Sequence, residues 1–193
     1  MDAAPHLRRA DPKRKPEIMP LSLTQTSVGA FERSLTALLV LLDKAEAHAK
    51  ARKFDPTNYL GMRLAPDMFP FVRQVQSLCD SAKNGSSRLA GAPAPVFEDK
   101  EATFADVRDR VGRTLEFLKT LDAKSIDSAG DREVVFPAGP GVKFRMQGGN
   151  YLVHWVLPNF YFHLTTAYDI LRAAGVEIGK RDFLGAVPGV EPA

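Results

Sequence analysis

The side chains best placed for chemistry are Asn159 and His163, four residues apart within the otherwise apolar stretch Tyr151–Leu164. On a helix that spacing puts both on one face. Polar groups buried on such a face must find partners, either in each other and the neighbouring helices or in a ligand. Pro158 stands immediately before them. It removes the N–H that would meet the His154 carbonyl, so a helix here is predicted to kink and leave an unpaired carbonyl and some space. His154 lies nine residues from His163, about 180° around an ideal helix, so the two cannot serve one site.

Other candidates stand further up the chain. Asp67 can cap a helix start and favour its dipole, or act as an acceptor at the end of the bundle where Asn159 could also lie. Arg63 and Arg73 are either solvated or available to an anionic ligand. His48, among Ala and Lys residues near the end of the first helix, reads as a solvated cation at the negative end of the dipole. Cys79, the single cysteine, falls on an apolar stripe and reads as a buried, inert thiol. With no disulfide possible within the chain, a reducing cytoplasm fits. No phosphate loop, dinucleotide-binding glycine pattern, serine nucleophile elbow or cysteine-based metal motif is present.

The elements that must position these residues follow from apolar periodicity. A first helix is expected from about Thr24 to Arg52, with Ser22 and Gln25 at capping-box spacing and Val28, Phe31, Leu35, Leu38, Leu39, Leu42 and Ala45 at helical period. A second, about Asp67 to Ala90, carries Met68, Val72, Val75, Cys79 and Ala82 on one face. Pro66 fits its first position, Pro70 should bend its first turn, and Gly91 should end it. Thr103 and Asp106 open a third helix running to about Leu121. Glu133–Phe136 and Val142–Met146 form a small β-hairpin around the turn Pro137–Gly141. The fourth helix, about Asn150 to Ala174, is apolar nearly all round in its first half, which implies burial on more than one face. Lys180–Leu184 could pack back onto the bundle. The fold class is all-α: a four-helix bundle with a small β-hairpin between the third and fourth helices.

The chain has 193 residues, 45% hydrophobic and 25% charged, the size and composition of one globular domain. No apolar run reaches the roughly 20 residues of a membrane span. The net charge of +3 belongs mostly to residues 1–18, which hold five basic and three acidic residues; the remainder carries 21 basic against 20 acidic. Residues 1–18 therefore read as a disordered basic tail, 19–185 as the domain and 186–193 as a frayed end. No aromatic residues interleave with the tail's charges, which argues against nucleic-acid binding.

The segments Arg63-Leu-Ala-Pro-Asp67-Met-Phe-Pro70, Arg73-Gln-Val-Gln76 and Leu157-Pro-Asn159-Phe-Tyr-Phe-His163, with Thr166-Ala-Tyr168 and Gly179-Lys-Arg-Asp-Phe-Leu-Gly185, resemble the uncharacterised, domain-of-unknown-function branch of the DinB/YfiT-like superfamily. The resemblance spans about Leu21 to Gly185. It implies a four-helix bundle, frequently a dimer, and in many members a divalent metal held by three histidines, some of them transferring groups to low-molecular-weight thiols. Carried onto this chain, the fourth-helix ligand pair falls on Asn159 and His163, and Asp67 is the nearest substitute for the ligand early in the second helix. Only His163 keeps the ligand type, so a zinc, nickel or manganese site on Asp67, Asn159 and His163 would be degenerate or absent.

Three functions compete on these grounds. The first is a bundle that binds a small ligand near Pro158, with Arg63, Arg73, Asn159 and His163 as candidate contacts. The second is a divalent-metal transferase or hydrolase of the thiol-transferase type, and the third is nucleic-acid binding by the tail. A homodimer is expected, because the apolar character of Tyr151–Phe162 exceeds what one bundle seam requires.

Overall fold

The computed structural model describes residues 21–190; the basic segment 1–18 and the last three residues lie outside them. The first helix starts as the capping pattern implies, with the Gln25 N–H donating to the Ser22 hydroxyl at 3.0 Å. A wide π turn, Gln25–Gly29, leads into α1, Ala30–Arg52. Of the expected stripe, Val28, Phe31, Leu35, Leu38, Leu42 and Ala45 are buried and Leu39 is half-buried. Lys53 closes α1 in the left-handed region at φ 59°.

The second helix, α2, spans Phe71–Ala90 and so begins four residues later than the sequence suggests. Pro70 does not bend its first turn; it stands outside as the extended N-cap residue. There its missing N–H costs nothing. The N–H groups of the first turn, which have no intrahelical acceptor, are met by the preceding loop: Phe71 donates to the Met62 carbonyl at 2.8 Å and Val72 to that of Leu60 at 3.1 Å.

The third helix, α3 (Phe104–Lys119), opens with the full Thr103/Asp106 capping box. A short α4, Ala123–Asp127, follows that the apolar pattern did not signal. Its Asp127 carboxylate accepts from the Thr24 N–H at 2.8 Å, tying it to the start of the first helix. Strands β1 (Glu133–Pro137) and β2 (Lys143–Gln147) pair antiparallel with Val135 opposite Arg145, and Val134 and Phe136 face the core.

The fourth bundle helix is composite. It starts as α5 (Gly148–Tyr151), widens into a π turn over Leu152–Val156, and continues as α6 (Leu157–Ala173) with Pro158 in its first turn. The expected irregularity at Pro158 takes the form of a π turn just before the ring. Such a turn pairs each carbonyl with the N–H five residues on, which lets the helix pass a residue that has no N–H to give. Of its apolar residues, Val153 and Phe162 face outward, while Leu152, Val156 and Phe160 are buried. A last helix, α7 (Lys180–Leu184), folds back onto α1 through an ion pair of Lys44 with Asp182 at 2.6 Å, and its Phe183 ring packs edge-on to Tyr168 of α6. Among the described residues no helix is long and apolar enough to cross a membrane.

The principal packing is α2 against α6. Gln74 meets His163, Gly85 meets Val156 and Arg88 meets Tyr151, so the two helices run antiparallel. The two helices come close at Gly85, where a Cβ would lie 2.4 Å from Val156 Cγ1.

Candidate functional site

His163 turns inward onto α2. Gln74, which is buried, donates from its amide nitrogen to the Phe69 carbonyl at 3.1 Å and so presents its oxygen to His163 Nδ1 at 2.7 Å. An acceptor at that position makes Nδ1–H the donor and leaves Nε2 with its lone pair. Burial, reinforced by the nearby Arg73 charge, holds the imidazole below the ordinary histidine pKa, so the ring is neutral near pH 7.

The other sequence candidates have partners of their own. Asn159 Nδ2 donates to the Trp155 carbonyl one turn back at 2.7 Å. Asp67 is exposed in the loop before α2. Arg63 donates to the Met68 carbonyl at 2.7 Å and pins that same loop. Arg73 pairs with Asp99 and lies over the Phe69 ring. Asp67, Asn159 and His163 are thus engaged separately. Among the described residues no group of three or more His, Cys, Asp or Glu side chains is placed to hold an ion. These side chains do not compose the three-donor set that a bound divalent metal needs.

Two further readings resolve differently. His48 is not free in solvent: its Nδ1 lies 2.6 Å from the hydroxyl of buried Tyr59, and its ring packs edge-on to Phe54. Cys79 is fully buried as expected, and burial pushes its thiol up to about 12, against a smaller opposing effect of the Thr114 hydrogen bond. The thiolate, which is the reactive form, is therefore not populated near neutral pH.

The geometry gathers polar groups elsewhere, in a cleft of about 190 Å³ between α2 and the π turn. From α2 come Asp80, Ser81, Asn84, Gly85 and Arg88. Asp80, Asn84 and Arg88 recur every fourth residue and so share a face. From the fourth helix come Tyr151, Trp155, Val156 and Asn159, and Pro137 closes one side from the hairpin. The hairpin also fixes the indole, since Phe136 packs on both Tyr151 and Trp155 with ring centroids 4.7 and 5.0 Å away. Because the helices are antiparallel, Asp80 and Asn159 mark one end of the cleft and Arg88 and Tyr151 the other. Arg88 donates to the Tyr151 hydroxyl at 3.0 Å. Burial raises the Tyr151 pKa, with Arg88 opposing, so the phenol stays protonated.

Behind Asp80 sits a buried charge network. Arg110, with no side-chain exposure, reaches Asp80 at 3.1 Å, Asp99 at 3.0 Å and Glu101 at 2.9 Å. Burial works against its charge, but the Glu101 hydrogen bond and the Asp80 and Glu101 charges outweigh that and raise its pKa. Glu101 is likewise disfavoured by burial, yet hydrogen bonds from Arg110 and Gln76 hold its carboxyl below the usual range. Through these contacts Arg110 binds the extended segment after α2 to α2 and α3. Of the cleft residues, only Asn159 stood out in the sequence. The signal for the others was the polar i, i+4, i+8 series Asp80–Asn84–Arg88 on the face opposite the apolar stripe.

This combination defines a DinB-like four-helix bundle with a hairpin before its last long helix. A solved structure described as a DinB family member protein from Shewanella denitrificans, at 1.83 Å resolution, is 40% identical to the chain and matches it with a TM-score of 0.82. The match covers 88% of this chain and 96% of that one. The chain belongs to the family described as Domain of unknown function (DUF1993), which matches residues 23–184. No curated protein matches it.

Proposed function

We propose that this protein binds a small organic molecule in the cleft between α2 and the π turn of the fourth helix. One observation carries the reading: the irregular turn opens a space where four polar side chains, Asp80, Asn84, Arg88 and Asn159, converge beside the single tryptophan. Tyr151, Trp155 and Val156 give these polar groups an aromatic and apolar wall, and placed polar groups beside such a wall fix a ligand's orientation. At about 190 Å³ the space is below the roughly 300–1,000 Å³ of pockets for drug-sized ligands, so the ligand is of amino-acid size. The sequence expectation of a ligand near Pro158 agrees with this location, with Asn159 as the shared residue.

A fragment screen followed by amide chemical-shift mapping tests the proposal. Hits should cluster on Asp80–Arg88 and Tyr151–Asn159, and Asn84→Ala should weaken them. Hits confined to the groove of Glu98 and Arg113, or to that of Lys44 and Glu177, would refute it.

A further inference from the structure

We propose that the ligand of this cleft is a small carboxylate, its anionic end held by Arg88 and Tyr151 and its far end bearing an amino or hydroxyl donor toward Asp80 and Asn159. The inference rests on the cleft being the binding site, and it follows from counting which hydrogen-bonding groups are already spent.

At the Arg88 end the spare groups are donors. Arg88 has no carboxylate partner among the described residues; its Nη1 gives one hydrogen bond, to the Tyr151 hydroxyl. That hydroxyl accepts from Arg88, so its own proton is left to donate. Asn84, one turn away, uses its oxygen to accept from Lys83 at 2.9 Å, which leaves its amide N–H groups available. An uncompensated guanidinium, a phenol O–H and an amide N–H together ask for an anion. The planar fork of arginine matches the two oxygens of a carboxylate.

At the other end the spare groups are acceptors. Asn159 donates to the Trp155 carbonyl and keeps its oxygen. The Asp80 contacts with Arg110 and Lys83, at 3.1 and 3.6 Å, both fall on Oδ1 and leave Oδ2 without a partner among the described residues. The two ends are eight residues apart on α2, about 12 Å along the axis. Side chains reaching inward shorten that span to a short aliphatic chain. A dianionic phosphate is disfavoured, because among the described residues only one unpaired arginine, Arg88, lines the cleft.

Trp155 lines the cleft and is the only tryptophan, so its fluorescence reads occupancy directly. The probe is 6-aminohexanoate, which is transparent where indole absorbs, compared with 6-aminohexanamide and with hexanoate. The acid should give a saturable change in Trp155 emission in the millimolar range. Losing one charged hydrogen-bonded contact should weaken binding about tenfold or more, both for the amide and for the Arg88→Gln variant. Hexanoate should bind more weakly than the amino acid but remain dependent on Arg88. Arg88→Lys, which keeps the charge and loses the fork, should fall between. Circular dichroism and the urea midpoint of each variant separate loss of binding from loss of fold; Tyr151→Phe, which keeps the packing and removes the O–H, serves if Arg88→Gln does not fold. Equal binding of acid and amide, or binding indifferent to Arg88 and Tyr151, overturns the carboxylate inference. No saturable response to any of the three probes overturns it too. In each case the fragment map independently decides whether the cleft binds ligands at all.

Discussion

Replacing Gly85 by alanine tests the helix contact that shapes the cleft. Alanine is the better helix former by about 0.8–1.0 kcal/mol, so on an exposed face the change would stabilise. Here the new Cβ would meet Val156 Cγ1 at 2.4 Å, Cγ2 at 3.0 Å and Cβ at 3.3 Å, all below the roughly 3.5–4.0 Å optimum for carbon pairs. Val156 is β-branched and nearly rigid about χ1, and it is 2% exposed, so it has little room to rotate away. Overpacking of this kind costs about 1–3 kcal/mol. With the obstruction on a stiff side chain, the upper part of that range applies, and after the propensity gain the net loss is about 1–2 kcal/mol. For a chain of this size that lowers Tm by about 2–8 °C.

The partner variant Val156→Ala removes the obstruction. Alone it leaves a cavity; combined with Gly85→Ala the added methyl occupies part of the vacated space. The double variant should therefore be more stable than the sum of the singles by about 1–2 kcal/mol, in the range for contacting residues. Urea denaturation of the four proteins measures this coupling, and Trp155 emission reports whether the cleft widens. If Gly85→Ala is as stable as wild type, or if the two changes are additive, the helices are not held apart by this contact and the account of the cleft's shape is wrong.

Two further outcomes follow from the polar interior. Arg110→Met, which leaves buried Glu101 without its cation, should cost about 3–5 kcal/mol, more than Glu101→Gln, which leaves Arg110 paired with Asp80 and Asp99; the reverse order of urea midpoints would refute the network. His163 has a folded pKa below its ordinary value of 6.5, so the unfolded chain takes up the proton first: this contribution to stability is complete above about pH 6.5 and is lost as pH falls toward the folded pKa. His163→Asn, which keeps a donor for Gln74, should flatten the fall in urea midpoint between pH 7 and pH 5; equal slopes in both proteins would show that His163 is not the titrating group.

The amino-acid order by itself determined the bundle. Four apolar stripes at helical period, the capping pairs at Ser22 and Thr103, Gly91 as a stop and the hairpin between the last two long helices all act within a few residues, so local physics suffices to read them. The start of α2 was beyond that reach. Whether Pro66 or Pro70 opens it depends on the Met62 and Leu60 carbonyls, which meet the N–H groups of Phe71 and Val72 only once the loop has folded back. The site was partly legible for the same reason. Asn159 stands out beside Pro158, but spacing along one helix says nothing about which residues of another helix lie opposite. Only the antiparallel packing of α2 on the fourth helix, brought close at Gly85 and opened at the π turn, decides that His163 meets Gln74 while Asn159 joins Asp80, Asn84 and Arg88. Side-chain partners between helices are set by register and crossing, and these are fixed by the whole core at once.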